Sequence, residues 1–89
     1  MRRVVYGTQF RKDFKRYVHK PKLLAALNEI VRMLERGEDI PRQYKPHKLH
    51  GDYEGCMECH VQSDFLLIWI DENTGTVYLE RLGTHSELF

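Results

Sequence analysis

Four of the five histidines of this 89-residue chain cluster late: His47, His50, His60 and His85. They lie in Tyr44 to Asp64, YKPHKLHGDYEGCMECHVQSD, and in Arg81 to Phe89, RLGTHSELF, with Asp64 and Arg81 among them. Imidazoles pass protons near neutral pH, and a carboxylate and a guanidinium extend such a set. One chemistry uses all of these groups. Metal-free RNA cleavage needs a base for the 2′-hydroxyl, an acid for the 5′-oxygen, and cations around the phosphorane. Each residue alone is more often structural than catalytic, so the convergence carries the weight.

Other motifs compete for the same residues. Cys56-Met57-Glu58-Cys59-His60 matches the C-x-x-C-H pattern of covalent haem attachment. His47-x-x-His50 with Cys56-x-x-Cys59 supplies four zinc-type ligands, which would make the protein a small zinc-binding module. A strand through this stretch would turn Cys56 and Cys59 to opposite faces, against both readings, and leave two reduced, partly buried thiols. The expectation is a chain with no metal and no cofactor. Neither a phosphate-binding P-loop nor a dinucleotide-binding glycine pattern occurs, and no serine or cysteine carries an activation motif.

The elements that must position these groups follow from periodicity. Arg3 to Tyr6 predicts a first strand. Thr8 is the expected N-cap of a short amphipathic helix through Phe10, Phe14, Tyr17 and Val18. Pro21 opens a second helix whose apolar stripe is Leu23, Leu24, Leu27, Ile30, Val31 and Leu34, with Gly37 as its stop. His19 falls at the junction as a surface residue. The two helices should form an antiparallel hairpin. Glu38 to Gly51, with Pro41 and Pro46, predicts a loop. Strands are expected at about 56–62, 65–70 and 77–82, with a hairpin turn at Asp71–Thr76. Phe65 to Ile70 is apolar on both faces and should be central. The predicted fold class is α+β, ordered β-α-α-β-β-β: an antiparallel sheet with a two-helix hairpin packed on one face and the other face available.

Size and composition set bounds. Residues 1–89 are expected to form a single domain. Apolar content of 42% and charged content of 30% suit a globular protein, and no apolar run reaches the length of a membrane span. MRRVVYG lacks the apolar core of a signal peptide, so the expected location is cytoplasmic. Charge divides along the chain. Residues 1–50 carry 13 Lys/Arg against 5 Asp/Glu, or +8; residues 51–89 carry 1 against 8, or −7. The basic half could face nucleic acid or simply solvate its helices.

The run HKLHGDYEGCMECHVQSDFLLIW and the ending ERLGTHSELF resemble the YafQ-like branch of the RelE/ParE toxin superfamily. The likeness is a histidine before L-x-G, then E-C-H-x-x-x-D-hydrophobic, then R-x-G-[ST]-H-x-x-L-F, and it extends over nearly the whole chain. It implies a type II toxin–antitoxin toxin that is an endoribonuclease (mRNA interferase) cleaving mRNA in the ribosomal A site. The implied partners are a cognate antitoxin, the ribosome with its rRNA, and mRNA. The family's functional positions match His47, His60, Asp64, Arg81 and His85, and Phe89 matches a terminal aromatic at the active site. His50 inherits no role. Met57 stands where family members usually carry arginine, Ser63 where proline is common, and Phe65 where tryptophan is common. The expected mechanism has His85 as acid, Asp64 or His47 as base, and His60 with Arg81 around the phosphate. The rival within the same fold is a non-catalytic toxin that inhibits a protein such as DNA gyrase.

Overall fold

A computed structural model of the chain describes residues 1–72 and 75–89. Its elements run β1 (Arg3–Tyr6), α1 (Thr8–Phe14), α2 (Pro21–Glu35), β2 (His47–Lys48), β3 (Met57–Gln62), β4 (Phe65–Glu72), β5 (Thr76–Gly83) and α3 (His85–Leu88). A 3-10 turn, Lys15–Tyr17, continues α1. The five strands form one sheet in the order β1-β5-β4-β3-β2. As expected, β3, β4 and β5 make an antiparallel meander with β4 central. The sheet as a whole is mixed, because β1 joins β5 in parallel. The residue pattern of a strand does not encode its pairing direction. Here β1 must run alongside a partner some seventy positions away in sequence. The expected turn at Asp71–Thr76 includes Asn73 and Thr74, which lie outside the described residues.

Local chemistry explains the helix ends. Pro21 occupies the first turn of α2, where its missing N–H leaves nothing unsatisfied. Gly37 terminates that helix at φ 72°, with Gly37 N–H donating to Leu34 and Glu38 N–H donating to Met33. α1 begins differently from its sequence expectation. Gly7, not Thr8, holds the N-cap position, and no side chain caps it. A Cβ on Gly7 would stand 2.7 Å from the Leu79 carbonyl, which also accepts the Gly7 N–H at 2.9 Å. Sheet contact rather than capping therefore fixes where α1 starts. Val18, expected on the apolar stripe, is 46% exposed, because the 3-10 turn ends the α-helical spacing after Phe14.

Strand alternation sorts side chains between two cores. Phe65, Leu67, Trp69, Val77, Leu79, Leu82, Cys59 and Val61 meet Phe10, Tyr17, Leu27, Ile30, Val31 and Leu34 from the helices. Full burial of such a side chain stabilises by roughly 1.5–3 kcal/mol. The opposite face, expected to be open, carries a second, smaller core of Cys56, Leu66, Ile68 and Leu88, edged by Leu49, Tyr53 and Ile70. Leu88 of α3 thus lies over the sheet. Cys56 and Cys59 are both buried and fall in different cores. The two thiols therefore cannot meet one ligand, so neither the haem nor the four-ligand zinc reading fits. Met57 packs against the helix-side core, so an apolar contact replaces the family's arginine.

Candidate active site

The loop predicted over Glu38–Gly51 contains β2, and this two-residue strand aligns the first histidine. His47 pairs directly with Glu58 of β3, so both side chains stand on the same face. His47 Nε2 lies 3.1 Å from Glu58 Oε1, and its Nδ1 lies 2.8 Å from the Lys45 carbonyl. Both ring nitrogens of His47 are therefore engaged by acceptors. Glu58 is 2% exposed, and its Oε2 has no partner among the described residues. An unpartnered buried carboxylate oxygen is costly and calls for a partner such as a water or an ion.

Two positions further along β3, on the same face, is His60. The strand ends at Gln62, and Ser63 turns the chain at φ 38°, in the left-handed region. Proline, common here in the family, could not adopt that angle. The turn presents the Ser63 carbonyl to His60 Nδ1 at 3.1 Å. An acceptor on Nδ1 places the ring proton there and leaves the Nε2 lone pair free.

Asp64 follows the turn and reaches across to α3. Its Oδ1 lies 2.6 Å from His85 Nδ1 and accepts the His85 backbone N–H at 3.0 Å. These hydrogen bonds, from the His85 side chain first and then its backbone, hold the Asp64 carboxyl below its ordinary value. His85 lies just past the last strand, in a short helix that the periodicity did not predict. It is the first residue of α3, which Thr84 and Glu87 close with a capping box. Ring centroids give a row: His47 to His60 at 6.5 Å, His60 to His85 at 5.8 Å, and His85 to Phe89 at 6.0 Å. Phe89 is 61% exposed and also meets Tyr53 edge-on at 5.4 Å. His50 is exposed and is not among the ring pairs of this row.

Arg81 is half-spent on structure. The C-terminal end of β5 extends past β1, and Asp13 of α1 takes the vacant place. Its Oδ2 accepts the Leu82 backbone N–H at 3.0 Å and the Arg81 Nε–H at 2.8 Å, and its Oδ1 accepts from Nη2 at 3.3 Å. Arg81 Nη1 donates to the Tyr53 hydroxyl at 2.9 Å. Asp13 is fully buried. Burial pushes its carboxyl up, but the hydrogen bonds from Arg81, Leu82 and Gln9 outweigh this and leave it below the ordinary value. The remaining Arg81 N–H groups, on a side chain 20% exposed, are available to an anion.

The structure thus brings together His47, His60, Asp64, His85 and Phe89, with Arg81 tied to them through Tyr53. Sequence reasoning gave no role to Glu58, Tyr53 or Asp13. Glu58 had a signal, since it shares a strand face with His60. Asp13 had one too: it interrupts the Phe10–Phe14–Tyr17 stripe with a charge. Tyr53 had none. Glu58, His60 and His85 also fit a metal ion, because one donor atom from each lies within 4.8 Å of the others and Glu58 Oε2 is unpartnered.

Known proteins are similar to this chain in sequence and in fold. Residues 2–89 match the family model of the YafQ bacterial toxin of type II toxin–antitoxin systems. The mRNA interferase toxin YafQ of Escherichia coli strain K12 is 32% identical over 89 residues, covering 99% of this chain and 96% of that protein. The YafQ chain of the E. coli DinJ–YafQ complex superposes with a TM-score of 0.86 at 31% identity, covering 100% of this chain and 99% of that one. A metal-bound toxin from Helicobacter pylori superposes with a TM-score of 0.88 at 34% identity, over 100% of both chains. The chain belongs to the YafQ family of bacterial type II toxin–antitoxin toxins.

Proposed function

We propose that residues 1–89 act as one toxin domain, an endoribonuclease that cleaves mRNA on the ribosome by acid–base chemistry and is neutralised by a cognate antitoxin. Two of its relatives carry the name mRNA interferase, and a similar chain comes from a toxin–antitoxin complex. Work on translating ribosomes sets the location as cytoplasmic. No helix among the described residues is long and apolar enough to cross a membrane.

One observation carries the mechanism. His60 and His85 each have Nδ1 tied down, to Ser63 and Asp64, while their rings stand 5.8 Å apart and no partner occupies either Nε2 among the described residues. Both free nitrogens can reach oxygens of one phosphodiester. His60 Nε2 takes the proton of the 2′-hydroxyl as the 2′-oxygen attacks phosphorus. His85 Nε2 gives its proton to the departing 5′-oxygen. The products are a 2′,3′-cyclic phosphate and a 5′-hydroxyl. Asp64 pairs with the His85 imidazolium and serves as its holder; a carboxyl with a lowered pKa is a poor base. His47, whose two nitrogens face the Lys45 carbonyl and Glu58, braces Glu58. The base is therefore His60 rather than the His47 or Asp64 expected from sequence. Arg81 stabilises the phosphorane with its remaining N–H groups, and Phe89 offers a ring on which a base can stack.

The metal-bound relative raises a second role for the same atoms. Glu58, His60 and His85 would hold such an ion, and a cation there would take imidazole lone pairs out of proton transfer. Chelator should therefore leave cleavage intact, and added zinc should slow it. The test is purified protein with mRNA on translating ribosomes, cleavage mapped by primer extension. Cuts confined to the ribosomal A site support the proposal; no cuts, with binding to gyrase instead, overturn it.

A further inference from the structure

We propose that Glu87 is a positioning residue for His85, clamping α3 to the helical half of the molecule so that the acid stands over its substrate. This rests on the role given to His85 above. A four-residue helix cannot hold its own geometry, because the first turn fixes several residues for a single hydrogen bond. α3 must be placed by its side chains, and Glu87 has the most ties. Its Oε1 accepts from the Tyr17 hydroxyl and from the Thr84 N–H at 2.8 Å; its Oε2 accepts from Arg16 Nη1 at 3.3 Å. Thr84 Oγ1 in turn accepts the Glu87 N–H at 3.3 Å.

The anchor is rigid at its far end. Tyr17 is 6% exposed and packs on Phe65 with ring centroids 4.7 Å apart. The clamp is also built into the backbone of β5. A Cβ on Gly83 would lie 2.8 Å from Glu87 Oε1, so the glycine makes room for this carboxylate. From Thr84, the next residue is His85, whose backbone N–H and Nδ1 both meet Asp64 Oδ1. Glu87 therefore fixes the backbone on one side of His85 while Asp64 fixes the ring on the other. Family resemblance does not mark position 87, which is a free position in R-x-G-[ST]-H-x-x-L-F.

The experiment measures single-turnover mRNA cleavage on programmed ribosomes for the full chain. The variants are Glu87→Ala, Glu87→Gln, Tyr17→Phe and Gly83→Ala, with His85→Ala and the His85→Ala/Glu87→Ala double variant. Melting curves and the downfield His85 Nδ1 proton resonance are recorded alongside. Glu87→Ala should lower the maximal rate tenfold or more, with half-saturating ribosome concentration changed less than twofold, and should erase that resonance. Glu87→Gln keeps an oxygen for Tyr17 and Thr84, and should stay within threefold. In the His85→Ala background the Glu87 change should cost nothing further, because a group acting through His85 has no effect once it is gone. Glu87→Ala within twofold of wild type, while His85→Ala collapses, overturns the clamp alone. A Glu87 loss that persists without His85 overturns it too, assigning Glu87 to the fold. A His85→Ala variant that still cleaves within tenfold of wild type removes the acid, and the clamp with it. If Glu87→Ala melts below the assay temperature, Tyr17→Phe and Gly83→Ala decide, each expected to slow cleavage at least threefold with the resonance weakened.

Discussion

At the level of single residues, the site is a set of nitrogens whose availability differs. His60 and His85 have their Nδ1 atoms held and their Nε2 atoms free, whereas both nitrogens of His47 face acceptors. Truncating His60 should therefore reduce single-turnover cleavage by about 10²–10⁴-fold, the usual range for a general base. His47→Ala should cost less, and equal losses would return His47 to the role of base. The carboxylates give a pH signature. Hydrogen bonds from His85 lower the Asp64 pKa, and Tyr17 followed by the Thr84 N–H lowers that of Glu87. A lowered carboxylate pKa means the interaction is complete above the ordinary carboxylate value and is lost as pH falls through the lowered one. Both holders of His85 thus stay ionised at neutral pH. An extra loss of activity and melting temperature should appear only in the acid range, below an ordinary carboxylate pKa. An acid-range loss identical in an Asp64→Asn variant and in wild type would contradict the part given to Asp64.

At the level of elements, α1 reaches furthest into the site. Asp13 fills the place of an absent strand beside Leu82 and holds Arg81; Tyr17, four residues on, holds Glu87. Asp13→Ala leaves the Arg81 guanidinium and the Leu82 N–H uncompensated. Breaking a buried pair costs about 3–5 kcal/mol, so thermal melting should fall steeply; a shift of only a degree or two would show that water replaces the carboxylate. Burial, with Glu58 beside it, pushes the Cys59 thiol up to about 12, so it should resist alkylation until the protein unfolds. Much of this architecture was legible in the sequence. The α2 stripe with its Pro21 and Gly37 ends, the meander, and the opposite faces of Cys56 and Cys59 all follow from periodicity. What escaped depends on contacts distant in sequence. β2 has two residues and exists only because β3 offers an edge. Gly7 is set by the Leu79 carbonyl, and α3 by Glu87 and Leu88. His47, His60, Asp64, Arg81 and His85 were legible from residue type and family likeness, and Phe89 from likeness, but which ring nitrogens are held and which are free is seen only in the hydrogen bonds at each Nδ1.

At the level of the whole molecule, charge separates from chemistry. Arg81 is the one Lys or Arg in residues 51–89, and the excess of +8 lies in residues 1–50. Arg11, Lys12, Lys15, Arg16, Lys20 and Lys22 are all exposed. This surface suits rRNA phosphates, which fix a protein's position without reading sequence. Reversing Lys12, Lys15, Lys20 and Lys22, while sparing Arg16 for its contact with Glu87, should weaken ribosome binding and flatten its salt dependence. Unchanged binding across a salt titration would place the contact elsewhere. The central claim is that His85 is the acid of a two-histidine cleavage, and His85→Ala tests it most directly. His85 is exposed and contributes little apolar burial, so its loss should change stability by no more than about 0.5 kcal/mol. Single-turnover cleavage on programmed ribosomes should fall by about 10²–10⁴-fold, and wild-type products should carry a 2′,3′-cyclic phosphate. A variant that melts like wild type and still cleaves within tenfold of it would contradict the account.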